Sequence, residues 1–371
     1  MKKSILSILA AAALLFASCS NDSDNSTATT TEYTSGSNLT GHITDDITLD
    51  ASVEYDLSAE LIVDEGASLT IPAGTVIKAS GQTSSYIAVS RGAQIFIEGE
   101  ENNPVVMTSA EETPANGDWG GLVICGAAPT NLGDDATSEV ANLQYGGTES
   151  TDSSGSIEYL RIEYTGATFN ASKEFNGVSF FGVGSGTTVT NILAYEAGDD
   201  GLEFFGGTVN ASNLAVINAY DDSIDAADGF SGTLDTVYIE GVTKAAFEVS
   251  NNSDNEAKTP ETNAKIKNAT IVKGTDFGAS ENVINYKEGG GTQNYENLVF
   301  SGFDTFAKYS TDAVTSENLE EGKLTVTSYY SPDTFTDVQG ILTDVTNDDT
   351  LVGAGSGTSE PTWVAELKAA E

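Results

Sequence analysis

Residues 198–209 decide the fold because the chain repeats them; they read Gly198-Asp199-Asp200-Gly201-Leu202-Glu203-Phe204-Phe205-Gly206-Gly207-Thr208-Val209. A related upstream phrase is Asn176-Gly177-Val178-Ser179-Phe180-Phe181-Gly182. A looser copy, Asp222-Ser223-Ile224-Asp225, follows the main phrase at a step of 22 residues. Repetition of short β-type phrases at intervals of this size is typical of a solenoid, in which each coil stacks on the previous one.

A second phrase, two apolar residues around a central one, recurs between copies of the first. Its copies are Leu160-Arg161-Ile162, Ile192-Leu193-Ala194, Leu214-Ala215-Val216, Val237-Tyr238-Ile239, Ala269-Thr270-Ile271 and Leu298-Val299-Phe300. Two phrases per coil in a fixed order predict two strands in separate sheets. We therefore expect an all-β chain folded as a right-handed parallel β-helix of about ten coils, in which each coil covers the backbone edge of its neighbour. The alternative is a β-sandwich.

The N-terminus has the pattern of an export signal. Met1-Lys2-Lys3 precedes an apolar run, 5–16, that is short for a membrane span, and Leu14-Leu15-Phe16-Ala17-Ser18-Cys19 resembles the lipobox of bacterial lipoproteins. We expect a signal peptide at 1–18 and lipid attachment at Cys19; the alternative is an ordinary signal peptide with an incidental cysteine.

The rest of the chain divides by composition. Residues 19–42 are polar and predict a flexible tether, 43–352 form the β-helix, and 353–371 form a connector and a short C-terminal helix. Pro361 can open that helix, which would place Trp363, Val364 and Leu367 on one face.

Charge and histidine content exclude several functions. The formal net charge is −41, so the surface repels nucleic acid, which we exclude as a partner. His42 is the single histidine of the sequence. Histidine-dependent triads in the body and multi-histidine metal sites are therefore excluded.

Acidic residues concentrate in two consecutive coils. The step of 22 residues would place Asp199 over Asp221, Asp200 over Asp222 and Glu203 over Asp225. Residues one coil apart lie about 4.8 Å from each other. Carboxylates this close raise each other's pKa or require a counter-ion, and hard oxygen ligands suit Ca²⁺.

These six residues form the predicted calcium site. One Ca²⁺ would bridge the two coils, and Lys244 would end the acidic column in the next coil. The alternative is a solvated acidic corner without an ion.

Catalysis by the same cluster is the competing hypothesis. Asp199, Asp200 and Asp222 superficially resemble the paired aspartates of polygalacturonase-type hydrolases. Those enzymes also need a histidine and a basic residue near the acids, but His42 lies far upstream. Lyases on this fold use an Arg or Lys base, yet Arg91 and Arg161 are the only arginines and lie in different segments. We therefore favour a non-catalytic role.

Aromatic residues offer weaker signals. Phe180 with Phe204, and Phe181 with Phe205, are expected to form stacked ladders along the coils. Trp119, between Asp118 and Gly120, is the candidate for a partly open ligand-binding position, because exposed rings stack on sugars.

Several stretches together resemble a family of secreted β-helix lipoproteins from marine and gut Bacteroidota, over roughly residues 55–345. They are Ser68–Ile77, Asn103–Ser109, Gly117–Ile124 and, most strongly, Gly198–Val209. The resemblance implies a fold and a location, with no established activity. Asp22 and Asp24, soon after Cys19, resemble surface-export signals of these organisms.

The expected protein is thus an outer-membrane lipoprotein that faces the exterior, with a binding or structural role. Its expected partners are the membrane, through the lipid, and a glycan or a nutrient-uptake transporter. A glycoside hydrolase or polysaccharide lyase is the alternative.

Overall fold

A computed structural model describes residues 37–171, 173–274 and 282–369. The predictions for the signal peptide, Cys19 and most of the tether lie outside these residues. Within them, no helix combines the length and the apolar character needed to cross a membrane.

Short strands account for most of the regular structure. In chain order the first are β1 (Gly41–Ile43), β2 (Ile47–Thr48), β3 (Glu54–Leu57), β4 (Leu61–Val63), β5 (Ser68–Pro72), β6 (Val76–Ala79), β7 (Ile87–Val89), β8 (Gln94–Glu98), β9 (Val105–Ser109) and β10 (Leu122–Cys125). The next are β11 (Ala136–Thr137), β12 (Gln144–Tyr145), β13 (Gly155–Glu163), β14 (Thr168–Asn170), β15 (Lys173–Glu174), β16 (Val178–Phe181), β17 (Thr188–Tyr195), β18 (Leu202–Phe205), β19 (Ala211–Ile217) and β20 (Ile224–Ala227). The last are β21 (Thr233–Glu240), β22 (Ala245–Ser250), β23 (Asn263–Val272), β24 (Asn282–Lys287), β25 (Thr292–Ser301), β26 (Thr305–Tyr309), β27 (Leu324–Val326) and β28 (Tyr329–Tyr330), with helices α1 (Ala313–Glu320) and α2 (Thr362–Ala369).

Parallel pairing organises these strands into two large sheets. The first has ten strands in the order β1-β4-β7-β10-β16-β18-β20-β22-β24-β26, and we call it the front sheet. The second contains β2-β5-β8-β13-β17-β19-β21-β23-β25-β27 and its side branches, and we call it the back sheet. Because successive strands of each sheet are separated by strands of the other, the chain is a parallel β-helix, as predicted. Antiparallel pairing among the described strands is limited to β11–β12 and β14–β15, which rules out the β-sandwich.

The interior is filled by the inward side chains of both sheets. Phe180 and Phe204 stack with ring centroids 4.8 Å apart, and Phe230 continues the stack at 4.8 Å from Phe204. All three rings are fully buried in one continuous apolar core. The predicted ladders are therefore present, including Phe181–Phe205 at 4.1 Å on the other face of the front sheet.

The outer faces of both sheets are partly covered. Over the front sheet, Val140, Tyr145 and Phe175 pack on Phe181 and Phe205, so this face is buried under the segments that contain β11, β12, β14 and β15. Over the back sheet, α2 buries Val364 and Leu367, two of the residues predicted to share its apolar face.

Three boundaries differ from expectation. Leu39 is buried and β1 begins at Gly41, so the β-helix starts a few residues before the predicted boundary at 43. The connector after residue 353 is held to the back sheet, where Ala354 N donates to Thr270 Oγ1 at 3.0 Å. Helix α1 was not predicted; Asp312 caps it by accepting a 2.7 Å hydrogen bond from Thr315 N.

We predict that Phe204→Ala lowers the free energy of unfolding by about 3–5 kcal/mol, because it empties the centre of the interior stack. Tyr220→Ala, at a ring that is 62% exposed, is the matched control and should change stability by less than about 0.5 kcal/mol. Urea denaturation followed by circular dichroism measures both. Similar losses in the two variants would contradict the proposed core.

Candidate functional site

Register places the predicted carboxylates in adjacent columns on the outer face of the front sheet. Glu203 pairs in register with Asp225, and Asp225 pairs with Glu248 of the following strand. Immediately before the strands, Asp222 N donates to Asp200 Oδ1 at 2.9 Å and Asp221 N donates to Asp199 O at 3.3 Å. The stacking expected from the 22-residue step is therefore present.

The cluster extends one coil further than the sequence suggested. Lys244 does pair with Asp221 and so ends the row that begins at Asp199. The neighbouring row continues, however, because Glu248 stacks beyond Asp225 and only then meets Lys287. Predicting a single end at Lys244 was wrong, since two adjacent columns end at different coils. The missed signal is the phrase Phe247-Glu248-Val249, which repeats Leu202-Glu203-Phe204.

Burial sets the electrostatics of the cluster. Asp200, Glu203, Asp222, Asp225 and Glu248 are each at most 8% exposed, whereas Asp199 and Asp221 are half-buried. Transfer of a carboxylate from water into such a site disfavours its charged form. Two paired lysines, Lys244 and Lys287, face these seven carboxylates.

The pKa values follow from this burial. Desolvation, followed by the charge of Asp221, raises the pKa of Asp199 to about 7. Desolvation, followed by the charge of Glu248, raises the pKa of Asp222 to about 9. The pKa values of Asp200, Glu203 and Asp225 are also raised, first by desolvation and then by their acidic neighbours.

Hydrogen bonds satisfy only part of the cluster. Asn176 Nδ2 donates to Glu203 Oε2 at 2.5 Å, Asn285 Nδ2 donates to Glu248 Oε2 at 2.5 Å, and Ala245 N donates to Asp222 Oδ1 at 2.6 Å. Asp225 Oδ1, in contrast, is buried and has no hydrogen-bond partner among the described residues. A buried carboxylate oxygen without a donor is costly unless a cation binds it.

Two groups of oxygens have spacings that suit a metal ion. Asp199, Asp200 and Asp221 each offer a carboxylate oxygen, and these oxygens lie within 4.8 Å of one another. Asp200, Glu203 and Asp225 form a second such group, so Asp200 is shared. Asp222 belongs to neither group, because one of its oxygens accepts from Ala245 N.

The fold and this site can now be compared with known proteins. Residues 41–368 match the family model described as a pectate-lyase-like β-helix domain. The chain belongs to this family. Searches of curated proteins and of solved structures gave no significant match. As a pectate-lyase-like β-helix, the protein has a fold that is compatible with polysaccharide-related roles.

The ligand-binding position predicted at Trp119 is wrong. In this pectate-lyase-like β-helix the Trp119 ring is 0% exposed and belongs to the interior core. Its Nε1 donates to Glu163 O at 2.7 Å, so its polar atom is also used inside the protein. Its neighbours Asp118 and Gly120 suggested exposure, but the side chain points inward and cannot stack on a sugar.

We predict that calcium-free protein becomes more stable as the pH falls from 9 to 7. The raised pKa values mean that the folded state binds protons more tightly than the unfolded state, whose aspartates titrate near pH 4. This contribution is therefore complete only below about pH 4, and it is lost as the pH rises through 7 and 9. Thermal melting in EDTA at several pH values measures it.

The control is Asp222→Asn, which removes the group with the pKa of about 9 and should flatten the upper part of the profile. Ordinary exposed carboxylates remain charged over this range. Stability of the calcium-free protein that increases with pH between 7 and 9 would contradict this account.

Proposed function

We propose that this protein is a lipid-anchored protein of the outer membrane that faces the exterior and binds polysaccharide without cleaving it. In this proposal Ca²⁺ in the acidic cluster joins neighbouring coils of the β-helix. The family fold supports a polysaccharide-related role, and the lipobox-like Leu14–Cys19 segment supports the anchor.

The stacked, buried carboxylates are the observation that carries the proposal. Two ligands on opposite sides of a Ca²⁺ ion are about 5 Å apart, since Ca²⁺–oxygen distances are about 2.3–2.6 Å. Both oxygen groups, with separations of up to 4.8 Å, meet this requirement. An ion there would also bind Asp225 Oδ1, which lacks a hydrogen-bond donor. We therefore extend the sequence-based hypothesis of one ion to two ions that share Asp200.

Burial of the same residues favours binding over catalysis. A hydrolase or lyase must bring its acid and base within hydrogen-bond reach of the substrate. Asp200 and Asp222 are 6% and 4% exposed, and each accepts a backbone N–H from the next coil. His42 lies in β1, at the opposite end of the front sheet from β26. The catalytic alternative with Asp199, Asp200 and Asp222 is consequently less well supported.

The Asp225→Asn variant tests the calcium site. It should weaken Ca²⁺ binding by at least about tenfold, because it removes the charge of a ligand that has no other partner. In EDTA the same variant should be more stable than the wild type, since an uncompensated buried charge is gone. Isothermal titration of EDTA-treated protein and thermal melting provide the two readouts.

Asp134→Asn, at an exposed aspartate outside the cluster, is the matched control and should change neither quantity. A wild type that binds no Ca²⁺, or an Asp225→Asn variant that binds it as well as the wild type, would refute the site. One bound ion per chain would refute the second site alone.

The anchor is tested with the two cysteines of the sequence, Cys19 and Cys125. Cys19→Ala should abolish incorporation of labelled palmitate and release the protein from the membrane fraction. Cys125→Ala, at a buried core thiol, should leave both unchanged. Membrane association that survives Cys19→Ala would contradict a lipid anchor.

A further inference from the structure

A separate cavity of about 230 Å³ lies at the back sheet, next to α2. Side chains from three parts of the chain line it: Glu101 after β8, Tyr159, Asn191 and Asn213 from successive back-sheet strands, and Trp363 and Glu366 from α2. None of them belongs to the acidic cluster of the front sheet. The cavity combines an indole ring, two amides and two carboxylates, and it has room for about one sugar ring.

Backbone geometry fixes the amides at the floor of this cavity. Asn191 and Asn213 have φ values of 57° and 53°, a left-handed conformation that asparagine tolerates better than most residues. Asn213 Nδ2 donates to Asn191 Oδ1 at 2.9 Å, and this bond orients both side chains. Among the described residues, no group donates to Asn213 Oδ1, so this oxygen can accept a ligand hydroxyl.

Trp363 supplies the second observation. Its Nε1 is buried and has no hydrogen-bond acceptor among the described residues. Buried indole N–H groups normally find an acceptor, and leaving one unpaired costs free energy. A ligand oxygen in the cavity would provide this acceptor, while the indole ring offers an apolar face to the C–H side of a pyranose.

Charge determines which sugars fit. Glu101 and Glu366 are exposed on the cavity, and no lysine or arginine is among the described residues that line it. A uronate or a sulfated sugar would be repelled, whereas neutral sugar hydroxyls can donate to both carboxylates. We propose that this cavity binds a neutral pyranose unit of a polysaccharide. The inference rests on the proposed function, for which it names a site and a ligand class.

Tryptophan fluorescence gives a direct test on the folded protein. The sequence has two tryptophans, Trp119 and Trp363, and Trp119 is fully buried with its Nε1 bound to Glu163 O. Trp363 should therefore report binding in the cavity. Titration with neutral oligosaccharides of glucose, mannose, galactose and xylose should give a saturable change for at least one of them, and oligogalacturonate should give none.

Two asparagine variants localise the binding. Asn213→Ala should weaken it by about tenfold, because it removes a hydroxyl acceptor and releases Asn191. Asn268→Ala is the matched control: Asn268 has a φ of 52°, accepts from Asn297 in the same way, and does not line the cavity. Trp363→Phe keeps an aromatic ring but loses the N–H, and calorimetry should detect weaker binding.

The outcomes separate this inference from the proposed function. If a neutral sugar binds equally well to the wild type and to Asn213→Ala and Trp363→Phe, the cavity is not the site, but polysaccharide binding remains. Preference for oligogalacturonate would overturn the neutral ligand class. If neither kind of sugar binds, both the inference and the proposed glycan-binding role fail.

Discussion

The structure depends on one constraint, the stacking of each coil directly on the previous one. Parallel strands one coil apart are about 4.8 Å from each other, so side chains at equivalent positions form columns. Whatever residue type the sequence repeats at the coil step is placed against a copy of itself. The constraint is therefore favourable for some columns and unfavourable for others.

Two neighbouring columns of the front sheet show both effects. Phe180 and Phe204 stack in the interior with their rings inclined by 6°, which buries apolar area and adds an aromatic contact. One position away, on the other face, Glu203 and Asp225 stack as like charges. Backbone spacing prevents them from separating, and the covering segments exclude the water that would screen them. A bound cation is the simplest way to stabilise such a column at neutral pH.

The sequence was informative where the coil step is regular. Asp200 and Asp222 could be paired because no insertion separates their coils from the 22-residue step, and the same reasoning predicted the phenylalanine ladders. Glu248 was missed because its coil is one residue longer and its phrase shares few letters with the others. The columns also end at different lysines, which a one-dimensional alignment does not reveal.

Features produced by irregular segments could not be predicted in this way. The segments with β11, β12, β14 and β15 cover the acidic columns, and this cover depends on long-range packing of residues such as Tyr145 and Phe175. Trp119 was misjudged for a related reason, since its polar neighbours did not indicate that its ring enters the core. The cavity beside Trp363 forms only when α2 packs on the back sheet.

The central claim is that the stacked carboxylates are held by Ca²⁺. A crystal structure of the protein grown with Ca²⁺, with anomalous difference maps, tests it most directly. We predict anomalous peaks at about 2.3–2.6 Å from carboxylate oxygens of Asp200 and Asp225. Well-ordered side chains in this cluster without any such peak, hydrogen-bonded to one another as protonated acids, would contradict it.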